Sequence, residues 1–202
     1  MFQVDSMGSS FQPGKIICLA RNYPMHAKEL GNSIPGEPVY FIKPASAIAQ
    51  RIELGNYDTR YEAELVLHIQ GKTPVAAAVG LDLTRKSLQN KLKEQGLPWE
   101  RSKAFKGSAI CSKFYPVKDA STLTFEMSLN GKQVQKGSIN DWFFSLDKIL
   151  EQVDDEFGLI DNDILFTGTP EGTGDLHVND KVELYLKDKE EIVESMELEV
   201  FA

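Results

Sequence analysis

The chain has 202 residues, 42% of them hydrophobic and 26% charged, with a formal net charge of −8. That length suits one folded unit burying about 70% of its unfolded surface. The acidic balance without a Lys/Arg block excludes a nucleic-acid footprint, the apolar runs fall far short of a membrane span, and Met1–Ser10 lacks the basic start and apolar core of a secretory leader.

A single domain over 1–202 is expected, with 1–14 as a short extension, in a cytoplasmic protein. Lys15–Ala20 is a continuous apolar run of the kind a buried strand shows. Cys18 within it and Cys111 further on have no metal-binding spacing, so both are expected as buried free thiols. Arg21-Asn22-Tyr23 breaks the run. Pro24 then fits the first turn of a short helix from Met25 to Leu30, capped by Gly31. His26 and Glu29, three apart, are neighbours on that helix. A carboxylate beside an imidazole fixes its tautomer and raises its basicity, as a general base requires; a solvated surface pair is the alternative.

Glu37–Pro44 reads as a strand bracketed by prolines, as edge strands often are. In Tyr61–Ile69, alternation places Tyr61, Ala63, Leu65, Leu67 and Ile69 on one apolar face. Glu62 and Glu64 share the other, roughly 6–7 Å apart at ~3.3 Å per residue. Two carboxylates so placed repel, which solvent, a raised pKa or a cation must offset. A hard divalent ion such as Mg²⁺ or Mn²⁺ is one solution, and an exposed acidic face is the other. Gly71–Pro74 turns the chain. Val75–Leu83 is apolar apart from Gly80 and Asp82, and Asp82 sits where strand gives way to helix. Thr84–Gln95 has helix-forming composition, with Leu88 and Leu92 on its buried side and Gly96 as the stop. Were the helix to begin near Asp82, Gln89 would lie on nearly the same face.

Arg101–Gly107 reads as a basic loop, either serving an anionic substrate or simply solvated. Thr122–Leu129 and Lys132–Gln135 flank Asn130-Gly131, a hairpin turn. Asp141 is expected to cap a helix carrying Trp142, Phe143, Leu146, Ile149, Leu150 and Val153 toward the core or a subunit contact. Asp154-Asp155-Glu156 reads as its solvated end. The strand Asp163–Phe166 runs into the Gly-rich loop 167–174, a ligand-oxygen cradle or a plain turn. Val182–Leu186 and Ile192–Phe201 read as closing strands. About eight short strands and two or three helices make a strand-dominated α+β fold.

The ordered motifs Ala20-Arg21-Asn22-Tyr23 with His26 and Glu29, Glu37–Pro44, Glu62-Ala63-Glu64-Leu65, Gly80-Leu81-Asp82-Leu83-Thr84, Gly96-Leu97-Pro98-Trp99 with Lys103, and Phe166-Thr167-Gly168-Thr169-Pro170 resemble the fumarylacetoacetate hydrolase family. Within it the nearest likeness is to small acylpyruvase and oxaloacetate decarboxylase-like members. The resemblance implies a mixed β-sandwich roll and a homodimer. It also implies Mg²⁺ or Mn²⁺ (Ca²⁺ in a crystal) on Glu62, Glu64 and Asp82, with a His26–Glu29 dyad on a lid helix and Lys103 stabilising oxyanion charge. Substrate contacts are implied for Arg21, Gln89 and Thr169. The implied reaction is cleavage of a C–C bond in an acylpyruvate-type diketo acid through a metal-stabilised enolate. Isomerisation, decarboxylation or hydration of a 2-oxo diacid passes through the same species and would draw a second cation from Lys106 or Arg101. A silent oligomeric binding protein is the alternative of another kind. The segment between Glu64 and Asp82 is shorter than in most members, which either trims a peripheral hairpin or displaces Asp82 from the glutamates.

Overall fold

The run Lys15–Ala20 is apolar throughout because both of its faces are covered. Ile17 and Leu19 point into one hydrophobic cluster, Ile16 and Cys18 into another on the opposite side of the same sheet. The computed structural model describes residues 4–202 except Met7, Leu30, Asn32 and Ile34. That sheet runs in the order Ala109–Cys111, Thr73–Asp82, Ala63–Gln70, Ile164–Phe166, Ile16–Ala20, Val39–Lys43. Val39–Lys43 is thus an edge strand, as its flanking prolines predict. A second sheet orders Lys132–Ser138, Leu123–Leu129, Lys181–Asp188, Glu191–Phe201 and Ile52–Glu53. The larger core lies between the sheets, where Leu65, Leu67 and Val79 meet Phe125, Leu184 and Leu186. Parallel and antiparallel pairs coexist: Ile164–Phe166 runs parallel to Ile16–Ala20 and antiparallel to Ala63–Gln70. The fold is the strand-dominated α+β roll expected. Among the described residues eight strands have five or more residues; further two- and three-residue strands and short 3₁₀ turns were too brief to leave a periodic signature.

Three local expectations are corrected. Asp141 does not cap the fourth helix. Residues 139–141 form a 3₁₀ turn, and the helix spans Leu146–Phe157, with the Ser145 hydroxyl accepting from Lys148 N. Trp142 and Phe143 therefore precede the helix, and Asp154, inside its last turn, pairs with Lys72 at 2.8 Å. The second helix begins at Lys86, because Thr84–Arg85 stays extended to pair with Thr59–Arg60. Lys103 ends a one-turn helix, Glu100–Lys103, instead of lying in a loop. The first helix is Pro24–Glu29, and its expected end at Leu30 lies outside the described residues.

The described part of the expected N-terminal extension is a hairpin, Val4–Ser6 with Ser9–Phe11, that closes the second core cluster. Phe11 stacks on the His68 imidazole at 3.9 Å between centroids. Asn162 Oδ1 lies 3.1 Å from His68 Nε2 and Ser6 Oγ 3.4 Å from Nδ1. Burial lowers the His68 pKa below its ordinary 6.5. The unfolded chain therefore takes up this proton before the folded one does, so the His68 contribution to stability is present above pH 6.5 and is lost as pH falls below it. The thermal midpoint of wild type is expected to drop more steeply on acidification than that of His68→Gln; parallel pH curves would show that His68 does not titrate on unfolding.

Candidate active site

The shortened segment between Glu64 and Asp82 is a direct hairpin. Ala63–Gln70 and Thr73–Asp82 pair antiparallel around Gly71-Lys72, whose φ values of 54° and 63° are those of the two-residue turn that matches strand twist. The register puts Ala63 opposite Leu81 and Glu64 opposite Gly80, and Asp82 N donates to Glu62 O at 2.9 Å. Asp82 therefore arrives beside both glutamates, and the shortening preserves the trio. One carboxylate oxygen from each of Glu62, Glu64 and Asp82 lies within 4.8 Å of the others. The face is not an exposed acidic strand: Glu64 and Asp82 are each 1% exposed.

Two ammonium groups answer this charge. Lys103 Nζ donates to Glu62 Oε2 at 2.5 Å and to Asp82 Oδ2 at 2.8 Å. Lys43, which sequence reasoning missed, is fully buried on the other side of Asp82, 2.8 Å from Oδ1. Its Nζ donates to Lys103 O, Ser108 O and Ser108 Oγ, which uses all three protons. Asp82 thus has an ammonium 2.8 Å from each of its carboxylate oxygens, Lys43 at Oδ1 and Lys103 at Oδ2. Burial opposes ionisation of Asp82, yet Lys103 and Lys43 outweigh it and hold its pKa below the usual value. Burial opposes protonation of Lys103 too, but Asp82 and Glu62 raise its pKa well above the ordinary range. Glu64 is pushed up by burial and then by Asp82 and Glu62, against a 2.8 Å hydrogen bond from Gly168 N. Three carboxylates against two ammoniums leave the ionised cluster one charge negative; a divalent cation would turn it one charge positive and favour an anionic ligand. An all-oxygen acidic donor set of this kind fits Mg²⁺ or Mn²⁺.

A cavity of about 430 Å³ opens beside the trio, lined by Arg21, His26, Glu62, Glu64, Asp82, Gln89, Lys103 and Thr169. Glu29 joins through His26, its Oε2 lying 3.0 Å from Nδ1. The imidazole of this pair is buried, His26 being 6% exposed, while Glu29 keeps an exposed face. Glu29 Oε1 also accepts from Gly172 N at 3.1 Å, which ties the short helix to the Gly-rich loop. In that loop Gly168 has φ 92°, and a Cβ there would sit 3.2 Å from Asn22 Cβ. Glycine alone thus lets the chain reverse closely enough for its N–H to reach Glu64.

Arg101 and Lys106, expected as second cations, are exposed and do not line this cavity. Lys86 and Lys93 line it instead. With Gln89 they recur at the i, i+3 and i+7 positions of helix Lys86–Glu94, a polar stripe that was readable in the sequence. Lys86 Nζ lies 3.3 Å from Gln89 Oε1. Burial lowers the pKa of Lys93, and Lys86, Arg21 and Lys103 lower it further, so these cations share one field. Arg21 adopts the left-handed conformation, φ 60°, disfavoured for a side chain and tolerated where function needs it. Arg21→Gly is expected to raise the melting temperature, by about 1 kcal/mol of relieved strain, while weakening anion binding. A variant both less stable and fully active would contradict both halves.

A family model described as fumarylacetoacetate (FAA) hydrolase C-terminal matches residues 15–199. An oxaloacetate tautomerase of Escherichia coli (strain K12) is 33% identical over 189 residues, covering 83% of this chain and 86% of the relative. A mitochondrial oxaloacetate tautomerase of Homo sapiens is 34% identical over 187 residues, 83% and 85% of the two chains. Among solved structures, a fumarylpyruvate hydrolase from Pseudomonas aeruginosa in complex with Mn²⁺ and pyruvate matches with a TM-score of 0.88 at 28% identity, over 98% of this chain and 95% of that one.

Proposed function

The chain belongs to the fumarylacetoacetate hydrolase family, and from that premise we propose that it is a divalent-cation-dependent enzyme of 2-oxo acids whose reaction is keto–enol interconversion of a 2-oxo dicarboxylate such as oxaloacetate. The observation that carries this reading is the charge in the cavity lining: three convergent carboxylates, together with Arg21, Lys86 and Lys93. The first suits a cation that takes the 2-oxo acid end, the second the distal carboxylate of a diacid. The relatives named as oxaloacetate tautomerases support the same substrate.

Mg²⁺ or Mn²⁺ held by Glu62, Glu64 and Asp82 would supply a Lewis acid for the 2-oxo carbonyl. The residues do the rest. With Nδ1 bonded to Glu29, His26 Nε2 carries the lone pair that takes the proton from the carbon next to the carbonyl. Glu29 stabilises the resulting imidazolium. Lys103, permanently protonated beside Asp82, faces the negative charge that develops on oxygen. Return of the proton to oxygen gives the enol, and to carbon the keto form, so atoms and charge balance.

A second reading, hydrolysis of an acylpyruvate, is favoured by the same dyad, which can activate water as readily as it moves a carbon-bound proton, and by the fumarylpyruvate hydrolase match. One experiment separates them. Oxaloacetate enol absorbance is followed in the presence of Mg²⁺ or Mn²⁺ and again with a chelator, beside acetylpyruvate and fumarylpyruvate with a pyruvate-coupled readout. Chelator-sensitive acceleration of enol decay without pyruvate release is the expected outcome, weakened in Lys86→Ala and Lys93→Ala. Pyruvate release from an acylpyruvate would install the hydrolase reading in its place, and no turnover of any substrate would sink both.

A further inference from the structure

Glu62 and Glu64 flank Ala63, and Ala63 stands at a break: strand Thr59–Tyr61 stops before Glu62 and Ala63–Gln70 starts after it. On the side away from Leu81, the Ala63 backbone has no strand partner. Its N–H instead donates to the side-chain Oε1 of Gln135 at 2.9 Å, and its carbonyl accepts from Thr169 Oγ1 at 2.8 Å. Gln135 comes from the second sheet and is 2% exposed. A bulge aims it inward: Met127 pairs with Gln135 and Ser128 with Gln133, which leaves Val134 as the extra residue. The Gly-rich loop packs on this bulge so closely that a Cβ on Gly172 would strike Val134 O.

The amide of Gln135 can lie only one way. Oε1 meets an N–H, which can only donate. Nε2 meets Thr169 Oγ1 at 2.8 Å and Pro170 O at 3.0 Å, and the carbonyl can only accept. Thr169 Oγ1 therefore receives a proton from Gln135 and gives its own to Ala63 O. One lone pair remains, and Thr169 lines the cavity. We propose that Gln135 is a positioning residue that presents Thr169 Oγ1 to the substrate as an acceptor without a free proton, while holding the Ala63 backbone between the two glutamates. An acceptor recognises a proton-bearing group, so Thr169 selects the enol hydroxyl over the keto oxygen or a carboxylate, which carry no proton. This rests on the 2-oxo acid reading above and adds to it the form of the substrate that the loop distinguishes.

The two halves of the amide can be tested apart. Gln135→Glu keeps an acceptor for Ala63 N–H but has no proton for Thr169; Gln135→Met keeps the shape and loses both; Thr169→Val removes the acceptor. Mn²⁺ affinity by electron paramagnetic resonance and turnover of oxaloacetate enol are measured for each, with circular dichroism as the check on folding. Gln135→Glu should retain Mn²⁺ affinity, lose about 10–100-fold in kcat at alkaline pH, and regain activity as the pH falls and the introduced carboxyl takes up a proton. Gln135→Met should lose both Mn²⁺ affinity and kcat. Thr169→Val should lose kcat and, because its hydroxyl also donates to Ala63 O, a smaller part of the Mn²⁺ affinity than Gln135→Met. Adding it to Gln135→Glu should cost little more in kcat, because both remove the same acceptor. Wild-type kcat in Gln135→Glu across the pH range, or losses that multiply in the double variant, would overturn the assignment, and Gln135→Glu is decisive even where Gln135→Met fails to fold. A wild-type chain that binds no Mn²⁺ and turns over no 2-oxo acid would instead remove the functional reading and this proposal together.

Discussion

Glu62→Gln is expected to abolish cation-dependent turnover and to reduce Mn²⁺ affinity by more than the about 10–100-fold that loss of a supporting residue costs. Glu62 is the cleanest of the three carboxylates to remove. It is only partly buried, and Lys103 Nζ, its hydrogen-bond partner at 2.5 Å, keeps Asp82 at 2.8 Å when Glu62 is neutralised. Asp82→Asn should eliminate cation binding as completely, but for a mixed reason. It leaves the Lys43 and Lys103 ammoniums buried beside a neutral amide, and stranding a buried charge costs about 3–5 kcal/mol. Loss of activity in Asp82→Asn alone would thus be ambiguous, whereas loss in Glu62→Gln at an unchanged melting temperature isolates the cation. Isothermal titration with Mn²⁺ decides the matter: wild-type affinity in Glu62→Gln would dismiss the three-carboxylate site.

His26→Ala should lose about 10²–10⁴-fold in kcat, the range spanned by a positioned acid–base group, with Mn²⁺ affinity unchanged. The reason for the separation is spatial: His26 bonds to Glu29 on the short helix, and none of its hydrogen bonds runs to Glu62, Glu64 or Asp82. Glu29→Gln should act twice, since its two oxygens serve different partners, His26 Nδ1 and Gly172 N. An amide can still accept from one of them but no longer stabilises an imidazolium, so kcat falls more than KM rises. Single-turnover kinetics read the two effects apart, and a His26→Ala variant at wild-type rate would take the dyad out of the mechanism.

Strand alternation in Tyr61–Ile69 was legible because a period of two needs no tertiary information. It placed Leu65 and Leu67 in the core and the glutamates together on the other face. The i, i+3 spacing of His26 and Glu29 was equally local, and the 3.0 Å contact followed from helix geometry. Where local rules compete, reading failed. Asp141 and Ser145 are both good caps, and the choice fell to Ser145 because Phe143 N and Phe144 N are bound by Asn22, which keeps the chain between them out of the helix. Lys103 and Lys43 look like any surface lysine until Asp82 is placed between them.

The sequence alone determined the alternating faces, the turn over Gly71–Pro74, the hairpin turn at Asn130-Gly131, and the residue types available for cation and proton chemistry, because each depends on neighbours within a few positions. Only the tertiary structure decided which charges meet. It brought Asp82 to the glutamates through a two-residue turn, buried two lysines against it, set Lys86 and Lys93 on the cavity wall in place of Arg101 and Lys106, and drove Gln135 across from the second sheet to the strand between the glutamates. Such pairings join residues far apart in the chain, and the energy of a buried charge is set by what packs around it, which no local pattern encodes.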